Sequence, residues 1–141
     1  VNRLQRLLIK HEGMRLKPYE DVLTEDITIG VGRNLDSIGL SEDEVLYLLD
    51  NDISRCSREL LYHFKWYPEL CRVRQEAMIN LCFNLGMTRL RTFKKALKAM
   101  SEGEYDIAAD EFLDSKWATQ VGSHRTDDIH HMIKTGTYPT E

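Results

Sequence analysis

Apolar residues recur at helical spacing along most of this chain, but between residues 14 and 40 the period falls to two. That change of period constrains the fold more than any other feature. A short helix must precede a small β region, and everything after it must pack as helices, which makes an α+β chain that is predominantly helical. Leu4, Leu7 and Leu8 share one side of segment 2–12, with Arg3, Arg6 and Lys10 turned outward and Gly13 placed as a C-cap. Glu12 lies four residues after Leu8 and eight after Leu4, on the apolar side at the C-terminal end of that helix.

Within 14–40, Ile27, Ile29 and Val31 alternate with Thr28, Gly30 and Gly32. The alternation predicts a strand with one apolar face and one small-residue face, the latter flat enough for backbone to approach a ligand closely. Segment 16–20 is the expected hairpin partner. Ser41-Glu42-Asp43-Glu44 reads as a capping box with acids in the first turn, and the apolar stripe from Val45 to Leu61 extends it into a helix over about 41–62. Further helices are expected at about 69–85, 90–101, 104–114 and 123–134, separated by Gly86, Gly103 and the turn around Gly122.

A length of 141 residues with 42% hydrophobic residues is enough for a single domain with one sizeable core, expected to be monomeric. The net charge of -4 argues against a domain that works by neutralising nucleic-acid phosphates. The 123–134 segment offers no basic recognition helix. No apolar run reaches the roughly 18–20 residues of a membrane span, and residues 1–10 alternate apolar and basic without a signal-peptide core. Cys56, Cys71 and Cys82 form no CxxC pair and read as buried thiols in a reducing compartment. His130 and His131, adjacent on a helix, point to different faces, and Arg15 breaks any HExxH reading at His11-Glu12, so neither a metal nor a cofactor is expected.

Three residues carry the chemistry. A carboxylate at a helix C-terminus feels the negative end of the dipole, and apolar neighbours strip its hydration; both favour a protonated Glu12, suited to donate to a leaving oxygen. The alternative for Glu12 is a pair with a surface Arg or Lys. Asp21, in a turn, should stay ionised as a general base requires, and two carboxyls in contrasting environments let one site perform both proton transfers. Thr28 adds a hydroxyl that can orient water. Singly, Asp21 reads as a turn former and Thr28 as an ordinary strand residue on an exposed face; only together do they read as a site.

The stretch His11-Glu12-Gly13 through Asp21, followed by Thr28-Ile29-Gly30-Val31-Gly32, resembles the catalytic segment of phage-type lysozymes, glycoside hydrolase family 24. Arg74 to Asn80, Phe83-Asn84-Leu85-Gly86, Ser115-Lys116-Trp117 and Lys134 to Tyr138 are similar to that family's later segments, in the same order. The resemblance implies a two-lobed fold: a small β-hairpin lobe at about 14–40, a connecting helix at 41–62, and a helical lobe at 63–141 that also takes in helix 2–12. It implies a muramidase that cleaves the β-1,4 link between N-acetylmuramic acid and N-acetylglucosamine in peptidoglycan. Glu12 would be the acid, Asp21 the base and Thr28 the water-holding partner. It further implies an endolysin that waits in the host cytoplasm and acts on the cell wall from the periplasmic side, bringing bacteriolysis.

Arg125 stands where the family has an arginine that pairs with the catalytic glutamate, which would orient Glu12 while lowering its pKa. Asn84, Trp117, Gln120 and Gly30 are candidates for substrate contact, since sugar sites combine amide hydrogen bonds with an aromatic face; Trp117 reads equally as a core residue. Thr28 follows Asp21 by seven residues, one more than in the best-known member, which brings Glu25 and Asp26 into the same turn. Arg33 replaces a histidine common in the family. A non-catalytic peptidoglycan-binding or phage-particle component keeping the same fold is the competing reading, distinguished by whether the Glu12, Asp21 and Thr28 set is used.

Overall fold

Residues 1–140, apart from the side chain of Ser123, are described by a computed structural model. The chain divides into two compact units, residues 1–48 and 49–141. In the first, helix α1 (Arg3–Glu12) starts on a reciprocal cap. The Asn2 side chain accepts the Gln5 amide at 2.8 Å while the Gln5 side chain accepts the Asn2 amide at 2.7 Å. Gly13, at φ 79°, ends the helix.

The chain then forms a three-stranded antiparallel sheet in the order β1 (Arg15–Glu20), β2 (Ile27–Gly30), β3 (Arg33–Asn34). Pro18 sits on the edge strand, in the irregular stretch between the Arg15↔Gly30 and Tyr19↔Thr28 pairs, where no ladder bond is lost to it. β2 is the middle strand, with Thr28 opposite Tyr19 on one side and Asn34 on the other. The expected partition of faces is not what the strand shows: Thr28 is only 4% exposed while Ile27 is 40% exposed. The Thr28 hydroxyl donates to a main-chain carbonyl, so its burial leaves no polar group unpaired.

Helix α2 (Glu42–His63) begins with the expected capping box. Ser41 Oγ accepts the Glu44 amide at 3.2 Å, and Glu44 Oε1 accepts the Ser41 amide at 2.9 Å. The same Glu44 oxygen meets Arg33 Nη1 at 2.9 Å, and Arg33 also donates to the Gly39 carbonyl at 3.0 Å, so β3 is tied to the start of α2.

The second unit carries the apolar core. After a 3-10 turn at Tyr67–Glu69 come α3 (Arg72–Leu85), α4 (Met87–Leu90), α5 (Lys94–Ser101), α6 (Tyr105–Leu113), α7 (Lys116–Val121) and α8 (Ser123–Thr135). Helix α3 buries Ala77, Met78, Leu81, Cys82 and Leu85, and packs on α8, which also contacts α6. Arg74 fastens α3 to the end of α8: its guanidinium donates to the Ile133 and Lys134 carbonyls at 2.7 and 3.1 Å and lies over the Tyr105 ring. Helix α5 buries Ala96, Leu97, Ala99 and Met100 and leaves Lys94, Lys95 and Lys98 in solvent, an amphipathic helix with a basic outer face. Cys56 and Cys82 are buried, but Cys71 is exposed, because it is the N-cap of α3 and lies outside the helix's packed face. Burial, with Cys56 and Glu59 beside it, pushes the Cys82 thiol up to about 12.

Candidate active site

Glu12 is the last residue of α1, and the positive φ of Gly13 turns the chain straight into β1. Glu12 is exposed rather than stripped of its hydration as expected; within the first unit its side chain lies along the Gly32 main chain. A methyl group at position 32 would sit 3.0 Å from Glu12 Oε2 and 3.3 Å from its Cδ, and Gly32 itself is at φ 65°. Gly32 thus serves a close approach by the protein's own carboxylate. At Gly30, by contrast, a methyl group would meet nothing within 4 Å, so that part of the strand is open.

Asp21 begins the six-residue connection from β1 to β2. Its Oδ1 accepts the amides of Leu23 at 2.9 Å and Thr24 at 3.1 Å, a local turn that only a short acceptor side chain can close. These two N–H groups, Leu23 first, hold the Asp21 carboxyl below its ordinary value and outweigh the opposing effect of burial. Asp21 is accordingly an anion at neutral pH. Glu25, in the same connection, stands at φ 62° and is exposed.

Asp26 joins the base candidate to the hydroxyl. Its main-chain carbonyl accepts the Asp21 amide at 2.9 Å and the Thr28 hydroxyl at 3.1 Å. Its carboxylate accepts from the Asn34 amide at 2.8 Å and is already engaged. Sequence reasoning gave neither the Asp26 carbonyl nor Asn34 a role. The two residues are eight apart and meet only through the pairing of Thr28 with Asn34, a register that no local pattern encodes.

The other candidates belong to the second unit. Arg125, on α8, lines a cavity of about 470 Å³ with Glu76, Ile79, Asn80, Phe83 and Tyr138, whose hydroxyl donates to Glu76. Trp117 is 2% exposed and donates its indole N–H to Asn84 Oδ1 at 2.6 Å. That places Trp117 in the core, with Asn84 as its polar partner. Gln120 is exposed on α7. His130 meets Asp110 at 2.8 Å and His131 meets Thr137 at 3.1 Å, so the adjacent imidazoles serve separate contacts.

A family model for phage lysozyme matches residues 9–128, a span that holds every candidate site residue. The chain belongs to the phage lysozyme family. It is 28% identical to probable T4-type lysozyme 1 of Dictyostelium discoideum, over 97% of this chain and 96% of that protein. It is 29% identical to probable T4-type lysozyme 2 of the same organism, over the same shares. A 27% match covers 94% of this chain but only 28% of the pre-baseplate central spike protein Gp5 of Enterobacteria phage T4. Phage lysozyme membership makes the protein a glycosidase of the lysozyme type. In this lysozyme the first unit holds Glu12 at the end of α1, Asp21 in the turn after β1 and Thr28 on β2.

Proposed function

We propose that this lysozyme hydrolyses the β-1,4 bond between N-acetylmuramic acid and N-acetylglucosamine in peptidoglycan, with inversion at the anomeric carbon. Glu12 gives its proton to the leaving glycosidic oxygen as the bond breaks. A water attacks the opposite face of the sugar, its oxygen bonding to the anomeric carbon and its proton passing to Asp21. Thr28 holds the same water. Its own proton is donated to the Asp26 carbonyl, so its oxygen is left to accept the water's second hydrogen. Inverting enzymes keep their carboxyls roughly 6.5–9.5 Å apart to admit that water.

The observation that carries this reading is the shared Asp26 carbonyl, which anchors the Asp21 main chain and the Thr28 side chain to one atom. In the first unit Gly30 leaves the strand open to a glycan; in the second, Gln120 is an exposed amide suited to bond a sugar hydroxyl, while Trp117 serves the core with Asn84 as its polar partner. The protein works as a monomeric endolysin on the cell wall, held in the host cytoplasm until release, with no metal, cofactor, nucleic acid or membrane insertion in the reaction.

The testing experiment is mass analysis of digested peptidoglycan. New reducing muramic acid ends support the proposal, whereas anhydro ends identify a lytic transglycosylase and free peptides a different bond. The match to part of a spike protein favours a second reading, in which the fold serves within a phage particle. A pure binder would leave the glycan chains uncut in the same digest.

A further inference from the structure

We propose that the segment Asn34–Asp36 is a positioning clamp for the hydrolytic step, acting through the Asp26–Ile27 peptide; this rests on the reading of Asp21 as base and Thr28 as water partner. That peptide unit is held at both ends. Its carbonyl accepts from the Asp21 amide and the Thr28 hydroxyl, and its N–H, on Ile27, donates to Asp36 Oδ2 at 2.7 Å. Donation to a carboxylate polarises an amide and strengthens its carbonyl as an acceptor, so Asp36 reinforces the two bonds on the far side.

Asn34 holds the same residue by its side chain. Asn34 Oδ1 accepts the Ser37 amide at 2.9 Å, which fixes the orientation of the carboxamide and aims Nδ2 at Asp26 Oδ2, 2.8 Å away. The Asn34 carbonyl accepts the Ile38 and Gly39 amides at 3.0 and 3.2 Å, so the clamp is itself a closed turn. Two consequences follow. The Asp26 carboxylate is held by an amide donor at Oδ2, which fixes its orientation within the turn. The hydroxyl of Thr28 and the backbone of Asp21 keep a fixed spacing, on which the attack geometry depends, because misplacement of a reacting group lowers the rate of the chemical step more than it lowers binding.

The test is steady-state turnover of purified peptidoglycan, with melting temperature recorded for each variant. Asn34→Asp sets a carboxylate against Asp26 and is expected to lower kcat about tenfold with KM changed less than about twofold. Adding Asp26→Asn restores the hydrogen bond with donor and acceptor exchanged, and the double variant is expected to recover most of that loss. Asp36→Ala removes only the acceptor of the Ile27 N–H and is expected to lower kcat about fivefold, which keeps the test intact if Asn34→Asp does not fold.

A loss confined to melting temperature, with kcat of the folded protein unchanged, overturns the proposal, as does a double variant that recovers nothing. Asp21→Asn in the same assay separates the two levels. If it is inactive while Asn34→Asp and Asp36→Ala turn over normally, only the clamp fails; if it is active, the base assignment fails and the clamp with it.

Discussion

The Glu12 carboxylate rests against the Gly32 main chain, so closely that a methyl group at position 32 would sit 3.0 Å from Oε2. The acid candidate at the end of α1 is thereby set by a glycine two residues beyond β2. Gly32→Ala is expected to displace Glu12 and lower kcat at least about tenfold, in addition to the ~1–2 kcal/mol that a side chain costs in the left-handed region. Gly103→Ala is the control: it shares the backbone strain at φ 73° but a methyl group there meets nothing within 4 Å. Equal kcat in the two variants would contradict the positioning role of Gly32.

Asp21 and Glu25 occupy one turn but differ in their surroundings. Asp21 has two amides on its carboxylate, while Glu25 is exposed at a positive φ. Asp21→Asn is expected to reduce turnover by at least about a hundredfold, the scale of a lost general base, and Glu25→Gln by less than about threefold. The reverse order, measured as kcat on purified peptidoglycan, would mean that the base has been misassigned.

The tie between β3 and α2 has a pH signature. Arg33, and after it the Ser41 amide, holds the Glu44 carboxyl at about 2, against an ordinary 4.5. A carboxylate whose folded pKa is depressed contributes its full stabilisation above the ordinary value and loses it as pH falls toward the folded one. The melting temperature of the wild type is therefore expected to exceed that of Glu44→Gln by a constant margin above about pH 5. The margin closes between 4.5 and about 2. A margin that grows on acidification would contradict the ion pair.

Trp117 is a core residue whose polar tip is satisfied by Asn84. Trp117→Ala is expected to destabilise the fold by about 3–5 kcal/mol in a denaturant titration. Trp117→Phe should leave KM for peptidoglycan unchanged. A raised KM with stability preserved would return Trp117 to the sugar-binding wall.

Much of this architecture was legible because its signals are local. Gly13 after Glu12 marked the end of α1, and the Ser41/Glu44 box marked the start of α2 to within a residue. The helix expected at 90–101 begins only at Lys94 as α5, and a separate short helix, α4, precedes it at Met87–Leu90, with no Gly or Pro at Arg91–Phe93 to announce the break. α4, α7 and the two-residue β3 are too short for a repeat to establish any period. The environments of the site residues were harder to read than their identities. Thr28 is buried although its neighbour Ile27 is exposed, and Asp26 is engaged because register brings Asn34 to it. The second depends on pairing across strands, whereas sequence periodicity reports only along them.

The central claim is that Glu12 supplies the proton that releases the glycan, and turnover of purified peptidoglycan by Glu12→Gln tests it most directly. With a melting curve like that of the wild type, this variant is expected to lose at least about a thousandfold in the rate of new reducing muramic acid ends. Wild-type-like release of those ends by the folded variant would contradict the account.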